Sequence, residues 1–336
     1  MTAESASAEV STPGGSGKPS LPRFEIPLAS SLSALFFTAF LTVPLAGAAG
    51  LPLAAVPLVR VSHRGGLAAG TLAAGISAAI LFGVALAAGG TSAAVAFVAL
   101  AVAVMGLPVL FAGRIRSGAD PSRAYLGLVT AGAILLAGGL FALPAAGQPP
   151  MGAELSSAFD AMIPSALESY RKAGADAASL ERVRTTLVAA RDFTTRYWMG
   201  LVGASWVLGA AIGFYGGARA ARPAPSAEAT RFERLRIPAG VAALFVAAGA
   251  GFALSPDGGR TAAGDVLLFL AALYFVAGLS IICHFARRWF RARVLRFGLY
   301  VLVAYFPMNV GVALLGLFDW YANFRRRGEK GESGTS

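Results

Sequence analysis

The sequence predicts an all-α protein: a polytopic integral membrane bundle of eight or nine hydrophobic segments, with a helical hairpin outside the lipid. Three observations carry this. Of 336 residues, 56% are hydrophobic and only 13% are charged, against about 25% charged in soluble globular chains. The apolar residues gather into runs of about 18 or more, enough to cross a hydrocarbon core at about 1.5 Å per residue. The runs are rich in Ala, Leu, Gly and Val and lack ten-residue alternation, which excludes a transmembrane β-barrel.

Residues 1–27 open the chain with Ser, Ala, Gly and Pro. They lack the basic start and small-residue cleavage site of a signal peptide, so a disordered tail is expected. A first membrane group, residues 28–143, holds Leu28–Ala49, Leu51–Val61, Gly66–Ala88, Thr91–Ala112 and Ala124–Leu143. Leu51–Val61 is short, and Pro52 and Pro57 each remove a helical donor. A broken segment surrounded by protein is therefore expected there. Residues 144–197 form an external amphipathic hairpin. Leu155, Phe159, Met162, Ile163, Leu167 and Tyr170 repeat at three and four; Gly174 breaks the pattern; Leu180, Val183, Leu187 and Ala190 resume it. The pair is read as a surface element or cap, with a lid over an external cavity as the alternative. A second membrane group, residues 198–324, holds Trp198–Gly217, Ile237–Leu254, Gly264–Phe285 and Phe297–Trp320, and a basic tail, 325–336, ends the chain.

Orientation follows the arginines. Arg60 and Arg64, then Arg114, Arg116 and Arg123, then Arg219 to Arg236, then Arg287 to Arg296, mark cytoplasmic loops. Gly89–Gly90, Ser255–Ala263 and the 144–197 region fall on the other side, the last with six basic residues balanced by six acidic ones. The C-terminus strains this scheme, because a single crossing by Phe297–Trp320 would place Arg325 to Arg327 outside. A re-entrant break near Pro307, Asn309 and Gly311, or a surface helix over Arg287–Arg296, would restore the rule, and a cytoplasmic tail is the reading adopted. The net charge of +11 lies in these short loops rather than in a basic soluble module, so no nucleic-acid partner is expected. The bilayer is the partner that composition demands.

No catalytic set is legible: there is no Ser-His-Asp pattern, His-Glu-x-x-His or phosphate loop. Cys283 is the single cysteine, and His63 and His284 have no second ligand nearby in sequence, so neither metal nor cofactor is expected. Small residues recur at four-residue steps at Ser205, Gly209, Gly213 and Gly217, and at Gly66, Gly70, Ala74 and Ala78. Such faces let another helix approach closely, either within the chain or from a separate membrane subunit. Asp265 is read as a cap opening its own helix. Trp206 lies inside its span, unlike Trp198, Trp289 and Trp320 at interfaces. Tyr274, Tyr305 and Asn309 are polar groups in apolar runs and need partners. With Trp206 and Asp319 they are the candidate walls of a polar cavity opening outward beneath Gly152–Arg196. Asp319 sits at the negative end of its helix, where Asn323 and Arg326 could reach it.

Gly316-Leu-Phe-Asp-Trp-Tyr-Ala-Asn-Phe-Arg resembles the closing signature of the YybS-like predicted bacterial membrane proteins. Leu51-Pro-Leu-Ala-Ala-Val-Pro-Leu with Arg64-Gly-Gly, Arg236-Ile-Pro and Leu273-Tyr-Phe-Val-Ala-Gly resemble further stretches of that family. Asp265 departs from the Asn expected in a Gly-Asn-Leu-Leu-like run. The resemblance implies a bacterial inner-membrane protein without assigned activity. Its first six segments are similar to the substrate-binding S components of energy-coupling-factor transporters. That implies a non-enzymatic transporter-like or small-solute-binding component, docking with another membrane subunit; a scaffold acting through its Gly-rich faces is the alternative.

Overall fold

The computed structural model describes Pro22 and residues 24–42, 44–142, 149–290 and 308–322, with isolated positions 292, 294, 295, 298, 299 and 303 between the last two stretches. Outside the described residues lie most of the N-terminal tail, Tyr305, the expected break at Pro307, Asn323 and Arg326, and the basic tail. Every regular element among the described residues is helical. Five stretches are long and apolar enough to cross a membrane: Leu67–Ala87, Ala99–Arg116, Pro121–Phe141, Trp198–Ala220 and Asp257–Trp289. Eight or nine hydrophobic segments were expected. Part of the difference is length: Ala239–Leu254, with 16 residues, reaches only about 24 Å, short of a hydrocarbon core of about 30 Å, and of the last apolar run the described residues include the 15-residue helix Met308–Ala322.

Helix α1 (Glu25–Thr42) packs on α2 (Pro44–Gly65) and α3 (Leu67–Ala101). The expected break in α2 does not occur, for the helix runs through both Pro52 and Pro57. Its neighbours explain this. Ala54, Leu58, Val59 and Val61 are fully buried, and α8 (Trp198–Ala220) lies along the same face. Protein therefore surrounds the ladder where the two donors are missing, as the bilayer requires. Gly66, with φ +91°, ends α2 in the left-handed conformation and lets α3 begin at once.

The backbone is helical from Leu67 to Arg116, through α3, a π-helical turn at Val102–Gly106 and α4 (Leu107–Arg116). It cannot be straight. A Cβ added at Gly70 would fall 2.8 Å from Val109, and one at Gly113 would fall 2.8 Å from Leu67. In a straight helix these pairs would stand about 60–70 Å apart. The path doubles back, and both pairs are centred on Gly89–Gly90, the connection the sequence marks.

Small polar groups join these helices where apolar packing alone gains little in lipid. Ser30 Oγ donates to the Ala73 carbonyl at 2.9 Å, Ser77 Oγ to the Ser30 carbonyl at 3.1 Å, and Ser62 Oγ to the Val109 carbonyl at 3.3 Å. Helix α5 (Pro121–Ala142) meets α8 through a reciprocal pair. Tyr125 Oη donates to the Val207 carbonyl and Trp206 Nε1 to the Val129 carbonyl, both at 3.0 Å.

The basic loops converge at one end. Glu25 pairs with Arg64 at 2.7 Å and with Arg60 at 3.3 Å. The Arg116 guanidinium donates to the His63 and Arg64 carbonyls. Short helix α9 (Pro225–Ala229) brings Ser226 Oγ to 3.0 Å from His63 Nδ1. At the opposite end, α6 (Met151–Lys172) and α7 (Ala177–Arg196) pack side by side through a turn at Gly174. Arg191 joins Asp160 across the pair at 2.8 Å, and Arg196 reaches Asp257 of α11 (Asp257–Trp289) at 3.4 Å. Only Ile163 of the two helices is buried. Met162 and Tyr170, expected on the inward stripe, are 46% and 50% exposed. The stripe is narrower than the sequence pattern because each helix has little beyond the other to pack on.

Candidate functional site

Tyr274 and Asn309 come together in one groove. Its walls are Leu208 of α8, Phe245 of α10 (Ala239–Leu254), Leu268 and Phe275 of α11, and Leu314 and Leu317 of α12 (Met308–Ala322). Its volume is about 540 Å³, within the range of small-molecule sites. Tyr274 is held edge-on to Phe245, with ring centroids 5.7 Å apart. The Tyr274 hydroxyl and the Asn309 side-chain oxygen are buried and have no hydrogen-bond partner among the described residues. Leaving such a group unpaired costs about 1–3 kcal/mol. Two of them in one apolar groove can receive the polar end of an amphipathic guest. Val310, Leu314 and Leu208 are half exposed at the opening, so the groove opens sideways through apolar side chains.

This differs from the polar cavity expected beneath Gly152–Arg196. The walls are apolar and come from α8, α10, α11 and α12, and none of the described cavities is lined by α6 or α7. Trp206 lines none of these cavities. It is 7% exposed and its indole fills the space left by Gly132, where a Cβ would fall 2.0 Å from the ring. Asp319 lines a separate cavity of about 130 Å³ with Arg236, Ala277 and Gly316. Asp265 does not open its helix, since α11 begins at Asp257. Its carboxylate accepts the Gly200 N–H at 2.8 Å, and so caps the first turn of the neighbouring α8. A Cβ at Gly200 would fall 2.7 Å from Asp265 Cα, so the cap depends on that glycine.

The small-residue face of α8 is occupied by α2. Gly213 meets Ala55, Gly217 meets Val59 with a would-be Cβ at 2.5 Å, and Gly209 lies more loosely against Pro52 at 3.8 Å. Gly70 is pressed between Ser62 and Val109, whereas Gly66 serves the turn. A separate subunit seated on the α8 face would have to displace α2. Sequence spacing missed the tightest crossing. A Cβ at Gly278 would fall 1.8 Å from the Val312 carbonyl oxygen, and one at Gly316 would fall 2.0 Å from that of Tyr274. These glycines join α11 to α12 directly beside the groove. They do not recur at fixed steps within one helix, so the only signal was their place in the two motifs, Leu273–Gly278 and the stretch opening at Gly316.

Among the described residues no three His, Cys, Asp or Glu side chains gather to hold a metal ion. Residues 31–320 match the model of a family described as predicted membrane protein, DUF2232. No curated protein and no solved structure matches the chain.

Proposed function

Since the chain belongs to the DUF2232 family of predicted membrane proteins, we propose that it is a non-enzymatic, multi-pass component of a bacterial cytoplasmic membrane that binds a small amphipathic solute. The binding place is the groove between α8, α10, α11 and α12. The observation that supports this reading is a pair of polar atoms with no partner among the described residues, Tyr274 Oη and Asn309 Oδ1, in apolar surroundings. A guest bearing a hydroxyl or amide donor would satisfy Asn309, and an acceptor would take the phenol proton. The apolar remainder would lie against the Leu and Phe walls. In this reading α6 and α7 stand outside the membrane as a cap, with the arginine-rich end in the cytoplasm. The likeness to YybS-like proteins and to the S components of energy-coupling-factor transporters enters as fold analogy. By that analogy the groove would serve uptake together with a second membrane subunit.

Native mass spectrometry of the purified full-length chain tests the reading. A retained small molecule is expected on the unmodified protein. It should be lost from Tyr274→Phe combined with Asn309→Leu, while the unfolding midpoint stays level or rises, because both changes remove an unpaired buried polar atom. A bare unmodified protein, or equal retention by the double variant, refutes the reading.

A further inference from the structure

A second concavity, of about 1220 Å³, lies at the arginine-rich end. Among the described residues three stretches of chain build it: the first turn of α5, the run from the 3₁₀ turn Phe232–Arg234 into the entry to α10, and the last turns of α11. Six arginines line it: Arg123, Arg231, Arg234, Arg236, Arg287 and Arg288. Among the described residues two carboxylates share the lining, and both are engaged. Glu233 pairs with Arg287 at 2.6 Å, and Asp120 accepts the Arg123 backbone N–H at 2.9 Å, capping α5. Arg231 is held by Glu228. Among the described residues Arg123 and Arg236 make no ion pair, and Arg234 makes no close one, with Glu228 attracting it only at longer range.

The orientation rule accounts for arginines on this side of the membrane, but not for their convergence on one hollow from segments far apart in sequence. Converging like charges repel, and the concave wall focuses their field on whatever enters. Apolar side chains share the lining: Leu126 in the first turns of α5, and Ile237 and Pro238 at the entry to α10. The α10 helix starts there without a side-chain cap, which adds its positive end to the field. Arginines and apolar side chains lining one hollow at the end of membrane helices match a phosphate headgroup with its attached glycerol and chains, rather than a fully hydrated free anion. We propose that this basin is a binding site for the phosphate-bearing headgroup of an anionic membrane lipid.

Titration of the full-length protein in neutral detergent with cardiolipin, with phosphatidylcholine as reference, tests this by native mass spectrometry. Cardiolipin should be retained preferentially. Arg234→Gln with Arg236→Gln should weaken it about 30-fold, from the usual contribution of a basic side chain to anionic-lipid binding. Arg114→Gln with Arg219→Gln removes the same charge from the same end outside the basin, and should leave the affinity within about twofold. Should the first pair fail to fold, Arg123→Gln replaces it, with a loss of about fivefold expected. Equal weakening by both pairs would overturn the site in favour of diffuse surface charge. Inorganic pyrophosphate bound as tightly as cardiolipin, and lost in the same variants, would overturn the lipid assignment in favour of a soluble phosphate compound.

Discussion

Adding one methyl group at Gly316 or Gly278 should loosen the seam between α11 and α12. The Cβ of Gly316→Ala would stand 2.0 Å from the Tyr274 carbonyl oxygen, and that of Gly278→Ala 1.8 Å from the Val312 carbonyl oxygen. Carbon and oxygen settle at about 3.3 Å or more even in close helix contacts, so α12 must retreat by about 1.3–1.5 Å. The atoms struck are backbone, and no side-chain rotation relieves them. Overpacking of this kind costs about 1–3 kcal/mol, and the retreat loosens dispersion contacts along the seam. The helix preference for Ala over Gly returns only about 0.5–1 kcal/mol. Gly249→Ala in α10 is the control, since its Cβ meets nothing within 4 Å; it should be neutral or stabilising by about 0.5–1 kcal/mol. Chemical unfolding in bicelles reads the difference. Because Tyr274 and Asn309 flank the seam, Gly316→Ala should also reduce retention of the groove's guest. Stability of Gly316→Ala equal to that of Gly249→Ala would refute the close crossing.

Tyr125→Phe should cost about 0.6–1.7 kcal/mol in the same unfolding assay, the range of single interhelical bonds in membranes, because its hydroxyl is a fully buried α5–α8 tie. A double cycle with Trp206→Phe should show coupling through their shared helices. Glu25→Gln removes the carboxylate facing Arg60 and Arg64, and trypsin should then cut after those arginines faster than in the unmodified protein. Asp176 caps α7 through the Ser179 N–H at 2.7 Å, and its bonds to Ser179 hold the carboxyl below the ordinary aspartate range. The cap is therefore at full strength above the ordinary value and is lost as pH falls through the lowered one. Hydrogen exchange over 177–181 should quicken on that acid side, and Asp176→Ala should abolish the dependence.

Tertiary information was needed wherever two segments meet. That the run from Leu67 to Arg116 doubles back was legible, because a glycine pair between two apolar runs marks a connection without reference to anything else in the fold. The fate of α2 was not. Two prolines read locally as a break, and only the α8 face packed along α2 shows why the helix continues. Asp265 read as a cap for its own helix, since sequence supplies only sequential neighbours, whereas the donor it serves is Gly200 on another helix. Trp206 read as a wall residue, because its partner, the gap over Gly132, lies on α5.

The sequence by itself determined the solvent. Charge content and run length are sums over the chain, and no folding is needed to evaluate whether apolar runs can face lipid. It also determined which ends carry the arginines. The tertiary structure alone decided which buried polar atoms find no partner among the described residues, which glycines bear a crossing, and that arginines from three separate segments line one hollow. Those properties belong to pairs of residues distant in sequence. In a bilayer the apolar faces of all helices look alike, so hydrophobicity cannot rank the possible neighbours; close fit and hydrogen bonds between helices do.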